Sequence, residues 1–168
     1  MWYFTGMGDS GDTTLFDGSR VKKDDPILEL IGAIDELNSF IGLGRSSIND
    51  EDIKTDLHFV QSSLSKMMGL IAGASERSLF DFNLVNFLEW LESKIMLYSK
   101  EILNPKEFTF PGVTPAGAIL DICRTTTRRA ERIAVGLPNQ EKKVQDDVLI
   151  VLNRLSSYFY IMRLHFEN

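Results

Sequence analysis

Apolar residues recur at three- and four-residue spacing through most of this chain, and each recurring block is bounded by a proline, a glycine or a capping side chain. That spacing marks helices with one buried face and leaves little room for a sheet-based fold. Asp25-Pro26 offers an N-cap oxygen followed by proline at the first helical position. A helix is therefore predicted from there to about Arg45, with Ile27, Ile31, Ile34, Leu37 and Ile41 as its inner stripe. A second starts near Asn49-Asp50 and carries Ile53, Leu57, Val60, Leu64, Met67, Met68 and Ile71. A third follows Asp81 with Leu84, Phe87, Leu88, Leu91, Ile95 and Ile102, and stops before Asn104-Pro105. After an extended break, Phe108-Thr109-Phe110-Pro111-Gly112, Thr114-Pro115 caps a fourth. It runs through Ile119, Ile122, Ala130, Ile133 and Ala134 to Gly136-Leu137-Pro138. The fifth begins near Glu141 and carries Val144, Val148, Val151, Leu152, Leu155, Phe159 and Met162. No strand alternation long enough to build a sheet is visible. The expected fold is all-α: one domain, 1–168, in which an antiparallel five-helix bundle (26–168) follows a glycine-rich N-terminal loop (1–25).

That loop, Thr5-Gly6-Met7-Gly8-Asp9-Ser10-Gly11-Asp12-Thr13-Thr14, is the least helical part of the chain. Glycines there permit positive φ and let backbone N–H groups approach an anion such as a phosphate. A flexible tail would use the same turn chemistry. The apolar flanks, Met1-Trp2-Tyr3-Phe4 and Leu15-Phe16, favour a loop pinned to a body. It is not a Walker A loop, because Ser10-Gly11-Asp12 stands where Gly-Lys-Ser/Thr is required.

The fourth helix contains Arg124-Thr125-Thr126-Thr127-Arg128-Arg129-Ala130-Glu131-Arg132. Asp121, Arg124, Arg128 and Glu131 fall on one arc beside its apolar stripe, whereas Arg129 and Arg132 point elsewhere. An arginine at a stripe's edge is partly shielded from solvent, and its guanidinium fork matches phosphate or carboxylate geometry. A solvated face with i,i+4 pairs is the simpler reading of the same helix. On the first helix Asp35 borders the core stripe while Glu36 faces solvent; Asp35 wants a cation, and Arg124 or Arg128 could supply it within the chain or across an interface. Asn153, beside Leu152 and Leu155, suits a phosphate, a ribose or a metal-bound water, or simply a helix-to-helix hydrogen bond.

The net charge of −6, from 18 basic and 24 acidic side chains, disfavours nucleic-acid or anionic-membrane binding but permits a local basic pocket. A single cysteine, Cys123, excludes an intramolecular disulfide and suits a reducing compartment. No apolar run reaches spanning length and the N-terminus lacks a signal-peptide layout, so a cytoplasmic location is expected. His58 and His165 stand without metal-binding or triad partners, so neither a protein-held metal nor a Ser or Cys triad is expected. What remains is chemistry that positions a nucleotide, neutralises its phosphates and lets the substrate bring its own nucleophile. A bundle that binds nucleotide without catalysis, and a purely structural helical oligomer, are the other readings.

Four stretches in this order, TGMGDSGDTTLFDG, GAIDELNSFIG, RTTTRRAER and DVLIVLNRLSSYFY, resemble the PduO-type ATP:cob(I)alamin adenosyltransferases over nearly the whole chain. The resemblance implies a ferritin-like five-helix bundle assembled as a homotrimer, with ATP bound between adjacent subunits. The reaction it implies moves the 5′-deoxyadenosyl group of ATP to the cobalt of cob(I)alamin and releases triphosphate, with cobalt as the nucleophile. Thr5, Gly6, Gly8, Asp9, Ser10, Gly11 and Thr14 match the loop that folds over ATP, and Lys23 matches a basic residue near the phosphates. Asp35 and Arg124 match an intersubunit salt bridge, and Arg128 the essential arginine on the triphosphate. Glu131 and Asn153 match other nucleotide-site positions. Phe108 corresponds to the aromatic residue that displaces the lower axial ligand of the corrinoid, which makes reduction to Co(I) feasible. ATP and cobalamin are the implied substrates, with Mg²⁺ held mainly by the phosphates. A reductase or an adenosylcobalamin-dependent enzyme is an implied partner. Two positions depart from the pattern: Ser10 replaces a lysine, removing a charge-assisted phosphate contact, and Asp121 replaces a histidine near the triphosphate site.

Overall fold

The computed structural model describes residues 6, 8–80, 82–100, 102, 108–137 and 142–167, without the side chains of 77, 78 and 142–145. Among these residues the elements are β1 (Asp12–Thr14), β2 (Arg20–Lys22), α1 (Pro26–Ser47), α2 (Glu51–Ile71), α3 (Leu84–Ser99), α4 (Pro115–Val135) and α5 (Lys142–Glu167), with one 3₁₀ turn at Glu76–Leu79.

Caps set the helix starts where short polar side chains take up otherwise unpaired N–H groups. Asp25 Oδ1 accepts from Ile27 N at 2.9 Å, and Asp50 Oδ1 accepts from Asp52 and Ile53 N. Asn83 accepts from Val85 N, and Thr114 Oγ1 from Gly117 N. The third helix is shorter than its apolar spacing implies: it ends at Ser99, and Ile102 lies beyond it.

Sequence neighbours run antiparallel. Asn38 meets Ser65 and Arg45 meets His58 across α1 and α2; Thr114 meets Phe166 and Asn153 meets Glu131 across α4 and α5. α4 packs between α1 and α5, and α3 lies along α5 in the same direction, with the Trp90 ring near Tyr158 and the Tyr98 ring near His165. The inner stripes of α1, α2, α3 and α5 meet as expected: Ile34, Leu37, Ile41, Leu57, Val60, Leu64, Met67, Leu91, Leu152, Leu155, Phe159 and Met162 are fully buried. On α4 the buried line is Leu120, Cys123, Thr127, Ala130 and Ala134, while Ile122 is 41% exposed. Helical geometry places Ile122 outside that line, so packing along it leaves Ile122 out of the core. Burial pushes the Cys123 thiol up to about 12, so it behaves as a small hydrophobe.

Two features were not expected. β1 and β2 form a small antiparallel hairpin, Asp12 opposite Lys22 and Thr14 opposite Arg20, because the polar Thr-Thr and Arg-Val-Lys segments pair with each other rather than with a core. A buried polar cluster also joins α2 to α3: the Tyr98 hydroxyl donates to Asp56 Oδ2 at 2.7 Å, and Lys94 Nζ stands 2.7 Å from the same oxygen. There burial, reinforced by the Asp56 carboxylate, pushes the Tyr98 hydroxyl pKa far up.

Candidate active site

The glycine-rich loop leads into the hairpin through successive turns, with Asp9 N–H donating to Gly6 O and Gly11 N–H to Gly8 O, each at 3.2 Å. Gly6 and Gly11 sit at φ 71° and 83°, a region glycine reaches without strain. Asp9 and Ser10 are exposed between them, and Thr14 is exposed at the end of β1. Lys23 joins this group: its N–H donates to Gly11 O at 2.9 Å, and a Cβ on Gly8 would stand 3.2 Å from its Nζ. Asp12 is already engaged, 2.6 Å from Lys22 Nζ and 3.5 Å from Arg20 Nη2. Thr5 and the Met1–Phe4 flank lie outside the described residues.

The described anchor of the hairpin is backbone, not the Phe16 side chain, which is 64% exposed. The N–H groups of Phe16 and Asp17 both donate to Ala72 O at the end of α2, at 2.9 and 3.3 Å. The seat requires glycine at position 73, where φ is 88° and a Cβ would lie 2.7 Å from Asp17 Cβ.

A second site lies on the α4–α5 face. Arg124, Arg128, Ser156, Ser157, Tyr160, Ile161 and Ile95 line an open recess of about 330 Å³. Arg128 is exposed on it and free of any ion pair among the described residues, so its guanidinium is available to an anion. Beside it Asn153 Nδ2 donates to Glu131 Oε1 at 3.1 Å, fixing both side chains across the two helices. Arg154 donates to Asn153 Oδ1 and to Glu92 Oε1, which ties the pair to α3. Of the four residues on the α4 arc, Arg124 and Arg128 line the recess, Glu131 meets Asn153, and Asp121 is buried. The arc's neighbours are not idle, however: Arg129 pairs with Glu36 of α1, so Glu36 faces α4 rather than bare solvent.

Asp35 and Arg124 are not brought together within the chain. Asp35 is exposed and enters no ion pair among the described residues. Arg124 is held by Asp121, Nε to Oδ1 at 2.8 Å and Nη2 to Oδ2 at 3.3 Å. Asp121 is thus the counter-charge of the arginine edge. It also stands 3.6 Å from Arg163 Nη1, and Arg163 in turn donates to Glu167 Oε2 at 2.7 Å. Burial alone would raise the Glu167 carboxyl, but N–H bonds from Gly112 and Val113 and the Arg163 guanidinium hold it below its ordinary value. The i,i+3 spacing of Asp121 and Arg124 and the i,i+4 spacing of Arg163 and Glu167 are the sequence signals of this network. Phe108 lies at the other end of it, 84% exposed, with its ring edge-on to Phe110 at 5.3 Å.

Comparison with known proteins decides what this arrangement belongs to. The sequence profile of the cobalamin adenosyltransferases matches residues 3–166. This chain belongs to the cobalamin adenosyltransferase family. Within the family it is 39% identical over 165 residues to a corrinoid adenosyltransferase of Bacillus subtilis, covering 95% of this chain and 83% of that protein. It is 33% identical to one of Citrobacter freundii, covering 95% and 91%. Among solved structures, a variant PduO-type ATP:corrinoid adenosyltransferase from Lactobacillus reuteri, complexed with cobalamin and ATP, superposes with a TM-score of 0.88 at 34% identity. That match covers 99% of this chain and 93% of the other. The helical-bundle expectation thus agrees with the folds of adenosyltransferase relatives. Among the described residues no helix is long and apolar enough to cross a membrane.

Proposed function

We infer that this adenosyltransferase-family chain transfers the 5′-deoxyadenosyl group of ATP to the cobalt of cob(I)alamin, giving adenosylcobalamin and triphosphate. The observation that carries the reading is the Arg128 guanidinium, in no ion pair among the described residues, beside Arg124 over an open recess. It suits a polyphosphate leaving group, whose developing charge a fixed cation stabilises. The protein need supply no nucleophile, because reduced cobalt attacks the ribose 5′ carbon directly. Its work is positioning: Arg128 takes the triphosphate, Glu131 and Asn153 fix the nucleoside, and Gly6, Gly8, Asp9, Ser10, Gly11, Thr14 and Lys23 close over ATP. Phe108 displaces the lower ligand of the corrinoid from an exposed segment.

The site is shared between subunits of a homotrimer. In support, the described attachments of the hairpin are to α2, while the arginine recess lies on α4 and α5. The exposed Asp35 carboxylate is available to a neighbour's Arg124, whose intrachain partner Asp121 leaves it 27% exposed. Mg²⁺ enters with ATP. The donors present suit an ion carried by phosphate oxygens, since the described residues include no group of three His, Cys, Asp or Glu placed to cage one. The enzyme works in the cytoplasm.

An anaerobic assay with chemically reduced cobalamin, Mg²⁺ and ATP tests this. The expected result is loss of the Co(I) absorbance and formation of light-sensitive adenosylcobalamin at a rate that tracks enzyme concentration. No product, with ATP binding intact by calorimetry, would instead identify a bundle that binds nucleotide without catalysis.

A further inference from the structure

The segment that displays Phe108 is tied to the last turn of α5 by a set of hydrogen bonds. Arg163 Nη2 donates to the carbonyl oxygen of Thr109 at 3.0 Å and to its hydroxyl at 2.9 Å. Farther along, Glu167 Oε1 accepts from the N–H groups of Gly112 and Val113 at 2.7 and 3.3 Å, and Thr114 Oγ1 donates to Phe166 O at 3.1 Å. Gly117 makes room for the arrangement, since a Cβ there would lie 2.6 Å from Glu167 Cγ. Arg163 is the centre of the clamp. It is only 3% exposed, and its fork reaches Thr109 on one side and Glu167 on the other, with Asp121 3.6 Å from its remaining nitrogen. Burying an arginine so completely is costly unless its donors are satisfied. Here it donates to Glu167 and to Thr109, the residue next to Phe108, and the Asp121 carboxylate adds a second opposite charge.

We propose that Arg163 is a positioning residue for the corrinoid. By fixing the Thr109 backbone it holds the adjacent Phe108 ring where the lower axial ligand must leave. This role rests on the adenosyltransferase reading above. The planar, forked guanidinium suits this place, because its three nitrogens each face a different partner (Glu167, Thr109 and Asp121), whereas a lysine keeps the charge but gathers its donors on a single nitrogen. Arg124 grips both oxygens of Asp121 while Arg163 stands 3.6 Å from one of them, and lysine keeps the charge there, so the nucleotide side should change far less than the corrinoid side.

The test compares wild type, Arg163→Lys, Phe108→Ala and the double variant under anaerobic steady-state conditions. Absorption spectra of cob(II)alamin with ATP are read in parallel for the fraction that has lost its lower ligand. Arg163→Lys is expected to raise the KM for the corrinoid about tenfold and to lower the ligand-free fraction, with a far smaller change in the KM for ATP. In the Phe108→Ala background it should add no further loss, since both act on the same step. Thr109→Val, which leaves Arg163 and its carboxylates in place, should shift the same quantities by a smaller factor, about threefold, and guards against a folding defect in Arg163→Lys. Losses that multiply in the double variant, or Arg163→Lys and Thr109→Val matching wild type in both readouts, would overturn the role while leaving the activity intact. A wild-type enzyme that forms no adenosylcobalamin would overturn the activity reading and this role with it.

Discussion

Asp121 accepts two hydrogen bonds from the Arg124 guanidinium, at 2.8 and 3.3 Å, one turn along the same helix. A carboxylate beside a phosphate-binding edge looks misplaced in the sequence. In the fold it neutralises Arg124 and faces the buried Arg163 as well. Asp121→Asn should therefore destabilise the bundle by about 3 kcal/mol, because it leaves a part-buried and a buried guanidinium group, Arg124 and Arg163, short of counter-charge. Chemical denaturation measures this directly, and a midpoint equal to wild type would refute it.

Arg128 has the opposite character. Its side chain is exposed and enters no ion pair among the described residues, so Arg128→Ala should leave the denaturation midpoint within about 0.5 kcal/mol of wild type. Turnover should drop by about 10²–10³ through loss of charge stabilisation on the leaving triphosphate. Retained activity in this variant would remove Arg128 from the site.

Ser10 sits exposed at the tip of the loop, between Gly8 and Gly11, whose backbones bond each other. Lysine there would add a charge-assisted contact to ATP. Ser10→Lys is expected to lower the KM for ATP about tenfold with little change in kcat. An unchanged KM would show that this position does not reach the phosphates.

Asp35 should matter only between chains. Asp35→Asn removes a charge that no described in-chain ion pair uses, so monomer stability should hold while assembly weakens and activity falls about tenfold. Light scattering at several protein concentrations separates the two effects. A full-mass, fully active assembly would refute the pairing with Arg124.

Glu167 gives a pH dependence with a definite sign. Its folded pKa lies below the ordinary 4.5, so its stabilising effect is complete above 4.5 and is lost as pH falls through the folded value. The difference in Tm between wild type and Glu167→Gln should thus be largest near about pH 6 and shrink toward about pH 3. A difference that stays constant or grows on acidification would contradict the clamp on Gly112 and Val113.

How far the sequence could be read depended on the range of the interaction. Asp25 and Thr114 cap the helices they were expected to cap, and the second helix starts where expected, with Asp50 as its cap, because capping is settled within four residues. The arc of Asp121, Arg124, Arg128 and Glu131 was legible for the same reason: helical geometry alone puts those side chains on one side. Ile122 was misjudged because apolar spacing does not say which of two adjacent stripes two neighbouring helices will cover. The hairpin was missed because its strands are three residues each and polar, and their pairing is with one another.

By itself, then, the sequence determined the helices, their inner faces, the turn-forming loop and the arginine edge, all of which follow from local periodicity and backbone preference. Only the tertiary structure decided who pairs with whom: Arg129 with Glu36, Asn153 with Glu131, Asp56 with Tyr98, and Arg163 with Asp121, Glu167 and Thr109. Apart from Arg163 with Glu167, which stand one turn apart on α5, those pairings join residues far apart in the chain and cross from one packed segment to another. They depend on helix rotation and offset, which the packing of buried side chains fixes and no local spacing encodes.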